Sequence, residues 1–140
     1  MRKVSWRRAQ AAVAVAVAAS LLLPWATSGH RTRSGFALAR SVHAAGMASG
    51  LSGRTLALGV TIVPGLAGLA AVSALRRAPA LSSIAAVLTG AAIVVVGAVV
   101  VRSSLHREVG PGVAIALGLV SVAAGLGGAL SRRAAVRSAR

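Results

Sequence analysis

Residues 80–101 read ALSSIAAVLTGAAIVVVGAVVV, 22 positions without one charged side chain. At 1.5 Å per residue such a helix reaches about 33 Å, enough to cross a hydrocarbon core of about 30 Å. Three further windows are equally free of charge, at about 9–26, 55–75 and 111–130. The 140-residue chain carries 16 Lys and Arg and one acid, and all of them fall in the gaps between these windows. The spacing predicts an all-α integral membrane bundle of four transmembrane helices, forming a single domain over 1–140. In it, 27–54 is an extracytoplasmic loop and 131–140 a basic cytoplasmic tail.

Insertion energetics sharpens the boundaries. Arg at a helix centre costs about 2.5–3.5 kcal/mol, whereas Leu, Ile, Val or Phe returns only about 0.3–0.6 kcal/mol. Arg76 and Arg77 therefore lie at an interface, and Arg76-Arg77-Ala78-Pro79-Ala80 joins windows two and three as a tight helical hairpin. Pro79 and Pro111 fall in first turns, where a missing N–H costs little. Pro64 sits inside the second window and predicts a kink, with the Thr61 hydroxyl available to the freed backbone.

The first window is Ala-rich, and its Ala-Val alternation from Ala12 to Ala18 imitates a strand. Both faces of that pattern are apolar, so no half-buried strand face is defined, and an open strand in lipid leaves its backbone unsatisfied. The window is read as helix. Trp6 and Trp25 are 19 residues apart, about 28 Å along a helix. Indole rings favour both headgroup interfaces, so the pair reads as two interface anchors.

Composition removes several chemistries. Hydrophobic residues are 56% and charged residues 12%, with mean hydropathy +0.82, far from a soluble domain's quarter of charged residues. Glu108 is the one acidic side chain, so paired-carboxylate catalysis has no second member. There is no Cys, which excludes disulfides and thiolate ligands, and aromatics are 2%, too few for a base-stacking platform. His30, His43 and His106 lack the spacing and supporting ligands of a metal site, and no nucleophile elbow accompanies them. The residues point away from an enzyme, a cofactor, a metal or a nucleic-acid partner.

Orientation follows from the arginines. Ten positive side chains belong to the N-terminus (including Arg7 and Arg8), the second loop (Arg76, Arg77) and the tail (including Arg132, Arg133). Six belong to the opposite side, together with Glu108. The positive-inside rule places both termini in the cytoplasm of a bacterial plasma membrane. Residues 1–28 also carry the basic start, apolar stretch and small-residue end of a cleaved signal peptide, Ala26-Thr27-Ser28 before Gly29.

Leu22-Leu23-Pro24-Trp25-Ala26-Thr27-Ser28-Gly29, with Arg31, Arg33, Ser34, Gly35, Phe36 and Leu38 after it, resembles a pattern in small, uncharacterised multi-pass membrane proteins of actinobacteria. The likeness covers about 17 residues and implies a multi-pass bacterial membrane protein, with no activity attached. Fifteen Arg against one Lys fits the same origin.

The remaining candidate sites are modest. His30, Arg31 and Arg33 could meet an anionic headgroup, and the basic tail attracts anionic lipid. Inside the spans no ionisable group accompanies the hydroxyls of Ser20, Thr61, Ser73, Ser82, Ser83, Thr89 and Ser121, which disfavours an ion-coupled carrier. Small residues form stripes at four-residue spacing: Ala86 and Gly90, then Gly97, on the third helix, with Ala114, Gly118, Ser121 and Gly125 on the fourth. Such stripes permit close helix packing, within or between chains. The expected role is structural or interactive, towards lipid, a second copy or another membrane protein; the alternative is a small oligomeric permease or channel subunit.

Overall fold

The computed structural model describes residues 6–28, 31–44, 51–76, 78–102 and 106–138. Among them are five helices and three short strands. In chain order these are α1 (Trp6–Ser20), β1 (Pro24–Ser28), β2 (Arg31–Ser34), α2 (Gly35–Ala44), α3 (Leu51–Leu75), α4 (Pro79–Arg102), β3 (His106–Arg107) and α5 (Val109–Ser138). Three helices are long and apolar enough to cross a membrane: Gly53–Leu75, Pro79–Arg102 and Val109–Ser131. Their outer faces are apolar too, with Leu58, Ile84 and Leu119 each about 60% exposed, as expected of helices surrounded by lipid rather than water.

The first window departs from the four-span expectation. Its helix has 15 residues, a rise of about 22 Å, and ends at Ser20. The chain then turns through Leu21–Leu23 into β1. Region 27–54 is likewise no simple loop, since it holds the last two residues of β1, all of β2 and α2, and the first turn of α3. The cause is local: Pro24 cannot extend a helix, and Ser34 caps the next one, its Oγ accepting from the Ala37 N–H at 3.4 Å.

α3 and α4 form the expected hairpin. The Ala78 N–H bonds the Ser73 carbonyl at 3.0 Å, a six-to-one closure of the α3 C-terminus, and Pro79 opens α4. α3 continues as helix through Pro64. The Thr61 hydroxyl donates to the Ala57 carbonyl at 2.9 Å, not to the Val60 carbonyl that Pro64 deprives of a donor.

α4 packs most extensively on α5, and glycine sets the approach. A Cβ at Gly118 would stand 2.6 Å from Ile93 Cγ2 and 2.8 Å from the Gly90 carbonyl oxygen. A Cβ at Gly90 would stand 2.8 Å from Val122 Cγ2, at Gly97 2.7 Å from Ile115 Cγ1, and at Gly125 2.8 Å from the Ser83 carbonyl oxygen. Ser121 Oγ crosses to the Ala86 carbonyl at 2.9 Å, and Ala114 and Ala86 are buried. The stripe of small residues is therefore spent inside the chain.

The core changes character along its length. Towards the end carrying the strands it holds Val17, Leu21, Trp25, Val60, Val63, Ile93 and Val96. Towards the other end it thins to Ala14, Ala67, Ala70 and Ala85, so that the buried apolar side chains between α1, α3 and α4 are alanines.

The glycine contacts make a contrast. Gly118→Leu should destabilise the protein by about 1–3 kcal/mol or more through overpacking against backbone. Gly68→Ala, where a Cβ meets nothing within 4 Å, should stabilise α3 by about 0.5–1 kcal/mol through helix propensity. Reversible SDS titration from micelles, read by circular dichroism, measures both.

Candidate functional site

The ends of α1 and α4 and the start of α5 meet under a small sheet of order β2-β1-β3, antiparallel throughout. On β1, Pro24 pairs with Ser34 and Ala26 with Arg33, so Trp25 is an extra residue on its strand. A bulge of this kind re-aims a side chain, and here the indole points into the bundle. Trp25 is fully buried, and its Nε1–H donates to the Ser20 carbonyl at 2.8 Å. Two glycines make room for it. A Cβ at Gly35 would lie 3.3 Å from Trp25 Cε2, and one at Gly110 3.0 Å from the Pro24 carbonyl carbon. The Gly35 N–H also bonds the Leu21 carbonyl at 3.0 Å.

Trp25 is thus no headgroup anchor. The chemistry that suits an interface, an apolar body with one N–H, suits an interior equally when a carbonyl with a lone pair to spare is at hand; the Ser20 carbonyl takes the Leu23 N–H at 3.2 Å and the indole as well. The last turn of α1 supplies that carbonyl. Trp6 opens α1 beside Arg7.

Polar groups tie the cap together. The Thr27 hydroxyl donates to Glu108 Oε1, and Arg33 Nη1 donates to Ser41 Oγ, which itself donates to the Ala37 carbonyl at 2.8 Å. Glu108 is therefore engaged by a hydroxyl across the cap. Of the suggested headgroup contacts, Arg31 is exposed, Arg33 is half-buried and committed to Ser41, and His30 lies outside the described residues.

Beside the cap, α2 and α3 leave a groove of about 620 Å³ between them. Phe36, Ala39 and Arg40 line it from α2, and Ala57, Val60, Thr61 and Pro64 from α3. These are the i, i+3, i+4 and i, i+3, i+4, i+7 positions of single helix faces. Arg40 and Arg54 are exposed. A second groove of about 860 Å³ lies between α4 and α5 at the opposite end, walled by Ile84, Val87, Leu88 and Leu126, with Arg137 at its rim.

One interior polar residue escaped the reading of the sequence. Gln10 is 8% exposed; its Nε2 donates to the Ala124 carbonyl at 3.4 Å and its Oε1 accepts from Ser82 Oγ at 3.3 Å. One amide bridges α1, α4 and α5 where their side chains are smallest. Of the topology arginines, Arg8 and Arg76 are exposed, Arg132 and Arg133 lie near the end of α5, and Arg77 is outside the described residues. Among the described residues no three His, Cys, Asp or Glu side chains gather as a metal site would require.

No protein-family model, curated protein or solved structure matches the chain.

With two tryptophans in the chain, Trp6→Phe isolates Trp25. Its emission should be blue-shifted, resistant to acrylamide and insensitive to headgroup spin labels; strong quenching by the labels would put the indole at the interface. Trp25→Ala should cost about 3–5 kcal/mol in the same unfolding measurement.

Proposed function

We propose that the chain is a multi-pass protein of a bacterial plasma membrane whose role is structural or interactive rather than catalytic. The observation that carries this reading is the α4–α5 contact. Its glycines and Ser121 are used up in building a rigid unit, while the outward faces remain apolar. What is left for a membrane partner, whether a second copy or another protein, is the open face of α3. There Leu58, Ile62 and Leu69 are exposed, and Cβ atoms at Gly65 and Gly68 would meet nothing within 4 Å.

In this reading α1 is a short fourth crossing. It runs from Gln10, beside Ser82 near the start of α4, to Leu21 under the cap. Both termini then share the cytoplasmic side, as the arginine excess favours, and the cap faces outward. Cutting the chain before Gly29 would remove the central strand and the indole that fills the core, so residues 1–28 stay attached. Intact-mass measurement should give 13.8 kDa.

The absence of cysteine suits a labelling test. Val4→Cys, Ala78→Cys and Ser138→Cys should react with a membrane-impermeant maleimide only after permeabilisation, and Ala45→Cys and His106→Cys in intact cells. Labelling of Val4→Cys from outside would leave three crossings and reject the fourth. Alkaline carbonate should leave the protein in the membrane, and release would reject the membrane reading itself. The rival, an oligomeric permease or channel subunit, draws on Gln10 in the bundle interior; reproducible solute flux in proteoliposomes would decide for it.

A further inference from the structure

The groove between α2 and α3 has two features that belong together only for one class of ligand. Its floor is apolar and runs about 10 Å along α3 from Ala57 to Pro64, with Phe36, the single phenylalanine of the chain, on the facing wall. Its cap-side end is cationic. Arg40 lines it from α2, and Arg54 lies on α3 seven residues before Thr61, hence above it on the same face. At about 620 Å³ it is within the range of small-ligand sites.

Charge balance identifies the occupant. The chain has one acidic side chain, Glu108, and the Thr27 hydroxyl engages it elsewhere in the cap. No second carboxylate side chain exists to neutralise Arg40 and Arg54. Counter-charge for this pair comes from outside the chain. A soluble anion would satisfy the arginines and leave the apolar floor unused, whereas an apolar solute would do the reverse.

We propose that the groove is a binding site for an anionic diacyl phospholipid of the cap-side leaflet, with its phosphate on Arg40 and Arg54 and an acyl chain along Phe36, Val60 and Pro64. Arginine is suited to the phosphate because its planar fork donates two hydrogen bonds at once. Pro64 helps to shape the lower end, since its ring stands where an ordinary residue would carry an N–H. The site rests on the membrane placement argued above, and on no other part of the proposed role.

The test uses the full chain in detergent micelles, with native mass spectrometry of bound lipid. Equimolar palmitoyl-oleoyl phosphatidylglycerol and phosphatidylcholine are offered together. The wild-type protein should retain phosphatidylglycerol in excess, by about fivefold for each arginine, the size of one basic residue near an anionic surface. Arg40→Gln with Arg54→Gln should bring the ratio to near one while lipid is still retained. Thr61→Trp, which fills the groove from an exposed position, should lower retention of both lipids. Millimolar glycerol phosphate should not compete. Equal retention of the two lipids by the wild-type protein, an unchanged ratio in the double variant, or full competition by glycerol phosphate would each overturn the site. So would a dimer that disappears with Thr61→Trp regardless of lipid, since a second copy would then be the occupant. These failures differ from carbonate release, which would remove the membrane placement itself.

Discussion

The contact on which the remaining structure depends is the approach of two backbones, α4 and α5, at Gly90 and Gly118. In lipid the hydrophobic effect gives apolar helices no reason to associate, because the surrounding chains are as apolar as leucine. Cohesion then comes from dispersion at short range and from the few hydrogen bonds that short range allows. Each glycine here lies where a Cβ would press on the other helix's backbone or on a buried methyl. The same closeness lets Ser121 reach the Ala86 carbonyl. It also sets the seat for the cap, because Gly110 in the first turn of α5 lies against Pro24 and Trp25.

The three long helices were legible in the sequence because one term dominates their placement. A single arginine outweighs several leucines in hydrocarbon, so runs without charge define spans almost regardless of which apolar residues fill them. The boundary of α3 slipped by four residues, from 55 to Leu51, and Arg54 explains the slip. A long cationic side chain near a helix end reaches back to water while its backbone stays helical. The hairpin at Arg76–Pro79 was legible for the converse reason, since charge, capping and proline all point to the same turn.

Trp25 shows where such reading stops. Its spacing from Trp6 matched a bilayer, and the match was a coincidence of numbers. What decides its place is the second lone pair of the Ser20 carbonyl, the bulge that turns the indole inward and the room left by Gly35 and Gly110. Gly35 and Gly110 lie on other elements, Gly110 far along the chain, and no local pattern announces them. Gln10 was missed differently, because a neutral amide at the edge of an uncharged window carries no signal of its own until α4 and α5 close around it. The small-residue stripe was visible as a stripe; whether it served one chain or two was not, since close packing looks the same from either side. The α2–α3 groove was invisible, because it exists only once two elements dock.

The short first helix and the small sheet are two halves of one solution. α1 has 15 residues against 24 in α4, a deficit of nine, or about 13 Å. A chain that leaves a bundle early exposes the carbonyls of its last turn, and an irregular backbone left bare in an apolar medium costs several kcal/mol per group. β1 avoids that cost by pairing on both sides, with β2 and β3, and the indole takes the Ser20 carbonyl. Among the described residues the outer strands β2 and β3 each pair on one side only, and hydrocarbon does not tolerate a bare strand edge. The exposed Arg31 and Thr32 on β2 suit a polar surrounding at such an edge.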